Sequence, residues 1–103
     1  MGESDDSTWV LVGRISYARL DEMIVAVETY LKHQFGGIEV IKEEAGVMFK
    51  IREVPVVRVV VERSEDKFAS TLTDIHVNNR LEDWQKNSII NFIQVLVVRL
   101  GWG

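Results

Sequence analysis

Two side chains able to do metal or acid–base chemistry stand two residues apart in Asp74-Ile75-His76. On an extended strand residues i and i+2 share a face, so this carboxylate and imidazole are expected to project together. A zinc or other transition-metal site needs three or four such donors, and only Glu82 and Asp83 follow nearby. The pair therefore reads as the polar end of a strand, and no metal site is expected. His33 falls near the end of a helical stretch, where a cation meets the favourable pole of the helix dipole. Ser16, Ser64, Ser70 and Ser88 have no neighbouring base to activate a hydroxyl. Nucleophile-elbow, phosphate-loop and dinucleotide glycine patterns are missing from the chain. It has no cysteine, which removes thiolate nucleophiles, thiolate ligands and disulfides. The expectation is a non-enzymatic protein without catalytic residues or a cofactor.

Binding chemistry has more to work with. Val47, Phe49 and Ile51 alternate with Met48, Lys50 and Arg52, and Val57, Val59 and Val61 alternate with Val56, Arg58, Val60 and Glu62. If the first sets face a core, Lys50, Arg52 and Arg58 gather on the opposite sheet face with Met48, Val56 and Val60, joined by Thr71 and Thr73. Such a surface, part aliphatic and part basic, could follow a nucleic-acid single strand or an acidic peptide. Base-stacking platforms need outward aromatics, whereas Phe49 and Phe68 belong to the inward sets. A net charge of −4 and a pI of about 5.1 weigh against sequence-blind binding of duplex DNA.

These residues must be positioned by regular elements, and the chain punctuates them clearly. Residues 1–8 form an acidic leader without an apolar anchor, expected to be disordered; residues 9–103 form a single domain. Trp9-Val10-Leu11-Val12 predicts a short strand ended by Gly13. Ser16 offers an N-cap to a helix whose stripe is Leu20, Ile24, Val27 and Leu31, with Glu28 and Lys32 paired on its outer side. Gly36-Gly37 stops it. Strands follow over Ile38 to Glu43, Val47 to Arg52 and Val57 to Val61, with a glycine turn at Glu44-Ala45-Gly46 and Val54-Pro55 confined to a strand start or edge. A last strand, Phe68 to Val77, switches its inward set from Phe68 and Leu72 to Ile75 and Val77, predicting a bulge near Thr73-Asp74. Asn79 as N-cap with Glu82 three residues on opens the closing helix. The expected fold is α+β, ordered β-α-β-β-β-β-α: an antiparallel four-strand meander plus a short N-terminal strand, with both helices on one face.

At 103 residues, with 47% hydrophobic and 27% charged residues, the composition is that of a globular domain. No signal peptide opens the chain, so the cytoplasm is the expected compartment. The apolar part of the closing helix, Ile89 to Leu100, covers about 18 Å at 1.5 Å per residue, short of the roughly 30 Å of a bilayer core. It is not expected to span a membrane.

The short strand Trp9-Val10-Leu11-Val12-Gly13-Arg14, the helix around Asp21-Glu22-Met23-Ile24, the strand meander and the apolar closing helix together resemble the kinase-associated domain 1 fold. The resemblance covers most of the chain at the level of topology. It implies binding of acidic phospholipid or of a kinase domain through basic residues.

The closing helix is apolar on nearly every side: Ile89, Ile90, Phe92, Ile93, Val95, Leu96, Val97, Val98 and Leu100 are interrupted only by Asn91, Gln94 and Arg99. The sheet and the first helix can each cover one side, leaving Asn87, Asn91, Gln94 and Val98 as an outer stripe. The surplus apolar surface predicts association, with Phe92, Leu96, Leu100 and Trp102 at the interface. The leading expectation is a protein–protein interaction module, homodimeric or bound to another protein. Single-stranded nucleic-acid binding through Lys50, Arg52 and Arg58, and acidic-lipid or kinase-domain binding, are the alternatives.

Overall fold

The computed structural model describes residues 8–62 and 72–101. Among these residues there are five strands: β1 (Trp9–Ser16), β2 (Ile38–Glu43), β3 (Gly46–Ile51), β4 (Val54–Glu62) and β5 (Leu72–Asn78). They form one antiparallel sheet in the order β1-β5-β4-β3-β2. β2 to β5 make the expected meander, and β1 closes the far edge beside β5. Two helices, α1 (Leu20–Phe35) and α2 (Asp83–Gly101), cover one face. α1 lies nearest β2, and α2 lies over β1 and β5. This is the α+β architecture that the alternation and helical stripes predict.

The core lies between the layers. Met23, Val27 and Leu31 of α1 and Ile89, Ile93 and Leu96 of α2 are buried against Phe49, Val57, Val59, Ile75 and Val77. Six of these helical residues recur at three- or four-residue intervals, so each helix turns one stripe to the sheet.

Two register shifts depart from the expected pairing. One lies between Phe49 and Lys50, where Val57 opposes Phe49 and Pro55 opposes Lys50. Val56 is the extra residue, and both Val56 and Val57 are fully buried. The assignment of Val56 to the open sheet face is therefore corrected. Pro55, near the strand start, sits in the irregularity, where a missing N–H is tolerated. The second shift lies between Leu11 and Gly13, which continues inside β1 rather than ending it. The bulge expected near Thr73-Asp74 is absent: the β4–β5 register runs unbroken from Val57 opposite Val77 to Glu62 opposite Leu72. Thr73 is buried and Leu72 is 38% exposed, the reverse of the expected facing. Phe68, on which that expectation rested, lies outside the described residues.

Turn chemistry also differs from expectation in places. Ser16 Oγ does cap, accepting from Ala18 N–H at 3.3 Å, but it caps a 3-10 turn (Tyr17–Arg19) that leads into α1. Gly36 ends α1 at φ 87° and ψ −134°, a conformation essentially limited to glycine, and its N–H donates to the Lys32 carbonyl at 3.0 Å. The β3–β4 hairpin turns through Arg52 and Glu53, both at positive φ (51° and 68°). Arg52 is thus a turn residue rather than the end of β3. Asn79 does not cap the closing helix, which begins four residues later at Asp83. Instead Asn78 organises the intervening turn. Its Oδ1 accepts from Arg80 N–H at 2.8 Å and its Nδ2 donates to the Pro55 carbonyl at 2.7 Å. Asn79 N–H donates to the Thr8 carbonyl at 2.6 Å, joining this turn to the start of β1. The rest of the acidic leader lies outside the described residues.

Candidate interaction surface

The sheet face away from the helices carries two of the three predicted cations. Register aligns Leu11, His76, Arg58, Met48 and Ile41 in one row across all five strands, and Arg14, Asp74, Val60, Gly46 and Glu43 in the next. Arg58 Nε donates to Glu43 Oε1 at 3.2 Å, and Arg14 Nε to Asp74 Oδ1 at 2.7 Å. Lys50 stands opposite Glu39 on β2. Arg52 is apart from both, in the hairpin turn. Lys50, Arg52 and Arg58 therefore do not form one basic patch: Arg58 is paired with Glu43, Lys50 has Glu39 opposite it, and Arg52 lies in the turn. Asp74 and His76 share this face as their spacing requires, but Asp74 is engaged by Arg14. Among the described residues no group of three or more His, Asp or Glu side chains is placed to hold a metal ion.

A cleft of about 400 Å³ opens at one end of the molecule, between the end of α1, the β3–β4 hairpin and the start of α2. Its lining includes apolar Phe35, Val54, Leu81 and Trp84 and the opposite charges of Arg52 and Glu82. The Phe35 and Trp84 rings lie 5.9 Å apart at 41°.

The outer side of α2 is the third surface. Ile89, Ile93 and Leu96 face the sheet, and Phe92 turns toward α1, where its ring stacks on Tyr30 at 4.1 Å and 6°. Tyr30 Oη also donates to the Ser88 carbonyl at 3.2 Å. On the solvent side, Trp84, Val95 and Val98 are 61%, 63% and 65% exposed. With Ser88 and Asn91, both exposed, they recur at intervals of four, three, four and three, forming a single stripe along the helix. Val25, on the outer side of α1, is 61% exposed as well.

Of the predicted interface residues, Leu96 belongs to the core, Phe92 is covered by Tyr30 and Leu100 is half-buried. Trp102 lies outside the described residues. On α2 the exposed apolar residues absent from the predicted interface and outer stripe are Trp84 and Val95. The four-three spacing through Ser88, Asn91 and Val98 puts both on one stripe, but the apolar residues on the other sides of the helix hide that this stripe is the free one. Among the described residues, no helix is long and apolar enough to cross a membrane. The chain matches no protein-family model, no curated protein and no solved structure.

Proposed function

We propose that this protein is a small interaction module that associates with a copy of itself through the outer side of α2. The observation carrying this reading is the exposure of Trp84, Val95 and Val98 on one stripe. Covering such a side chain contributes on the order of 1.5–3 kcal/mol. The stripe, with Trp84, Val95 and Val98 as its apolar members and exposed Asn87 and Gln94 beside it, has the composition of an apolar interface centre with a polar border. Val25, on the outer side of α1, is a further exposed apolar residue of the helical layer. The balanced charges of the open sheet face offer no comparable case for a polyanion, which needs unmatched cations.

The test separates neighbouring residues of one helix. Val95→Glu and Val98→Glu place charge on an exposed stripe and are expected to abolish self-association, read as mass by light scattering, while the circular dichroism spectrum stays unchanged. Leu96→Glu buries a carboxylate in the core and is expected to unfold the chain instead. A Val95→Glu/Val98→Glu protein that associates like the parent would overturn the assignment of this surface.

A further inference from the structure

We propose that the cleft between the end of α1, the β3–β4 hairpin and the start of α2 binds a free aromatic α-amino acid. This goes beyond the self-association reading and does not rest on it. The cleft volume is about 400 Å³. Ligand pockets run from roughly 300 to 1,000 Å³, so this one suits a single amino acid better than a peptide. Its apolar lining extends from fully buried Val56 to Val54 and Trp84, 47% and 61% exposed. The rings of Phe35 and Trp84, 5.9 Å apart and tilted by 41°, are in the range of geometries that aromatic pairs adopt, and a third ring can join them.

Arg52 and Glu82 bring opposite charges to this one lining. Among the described residues neither forms an ion pair, with the other or with any further side chain. Both are therefore free to meet a ligand. Arg52 matches a carboxylate, whose two oxygens its planar fork can bond together, and Glu82 matches an ammonium. An apolar acid would bring its charge into a cleft shared with Glu82, and an apolar amine would do the same with Arg52. A zwitterion with an aromatic side chain uses both charges and the rings at once.

The backbone supplies a second argument. Arg52 and Glu53 hold φ at 51° and 68°, a region disfavoured for side chains of their size. Strain of this kind concentrates at binding sites. Asn-Gly would make the same turn with less strain but would leave the cleft without its cation.

Heteronuclear NMR titration reads the site directly. L-Phenylalanine is expected to shift the Trp84 indole N–H and the side-chain amide of Gln85, which also lines the cleft. The shifts should saturate with a Kd in the millimolar range or tighter, as a ligand of this size allows. Phenethylamine, which lacks the carboxylate, and hydrocinnamate, which lacks the ammonium, are each expected to bind several-fold more weakly. Arg52→Asn, with a residue that tolerates positive φ, should erase the preference over phenethylamine only. Glu82→Gln should erase the preference over hydrocinnamate only. The rest of each spectrum shows that the variant is folded. No saturable shift at the lining residues, either analogue binding as tightly as phenylalanine, or charge preferences that survive the two substitutions would overturn the assignment.

Discussion

At Gly46 a Cβ would fall on the carbonyl of Val59 in the adjacent strand, so glycine is required there by the closeness of two backbones. Backbone conformation is not the reason: among the described residues positive φ occurs at Arg52, Glu53 and Gly36 and not at Gly46. Gly46→Ala must push β3 from β4, and it is expected to cost about 1–3 kcal/mol as an overpacked contact, measured as a lower urea midpoint. Gly13→Ala meets only the Val97 side chain, with Cγ2 at 2.8 Å, and a side chain gives way more easily than a strand. Its loss should be the smaller, and the opposite order would contradict the packing of α2 on β1. Leu96 and Val95 make the same contrast on the helix: one is 7% exposed and the other 63%. From sequence alone the two are indistinguishable, because the run Ile89 to Leu100 is apolar on three sides and its own composition hides which side is free.

Element positions were readable wherever a breaker or an alternation marked them. Gly36, the Leu20–Leu31 stripe and the alternation of β3 place α1 and the meander correctly. The bulge at Val56 was unreadable because Val54 to Val61 is almost continuously apolar, so one extra buried valine leaves no trace in the pattern. The start of α2 was misplaced because Asn78 and Asn79 both suit a helix cap. Asn78 instead spends its amide on Arg80 and Pro55, across a turn that the local sequence cannot reveal. The β3–β4 hairpin carries a cost that can be removed. Two-residue hairpins with positive φ at both positions favour Asn-Gly, whereas a bulky residue in the left-handed region costs roughly 1–2 kcal/mol. Replacing Arg52-Glu53 by Asn-Gly is expected to stabilise the protein by about that amount, seen as a higher midpoint in thermal or urea unfolding. A destabilised variant would contradict the turn geometry.

For the whole molecule, two layers bury the inner stripes of both helices and one face of the sheet, and leave two large surfaces open. The sheet surface is balanced by Arg58–Glu43 and Arg14–Asp74. The helical surface is different: it carries Trp84, Val95, Val98 and Val25, each more than 60% exposed, on the helices that also build the core. The apolar excess of the closing helix was evident in the sequence. Its direction was not, because direction depends on how Tyr30 and the sheet divide the circumference of α2. Self-association is read most directly from the mass of the parent chain in solution. Light scattering at micromolar concentration should give twice the 11.8 kDa of one chain, falling to a single chain in the Val95→Glu/Val98→Glu variant. A parent that is folded and monomeric across that range would contradict the central claim.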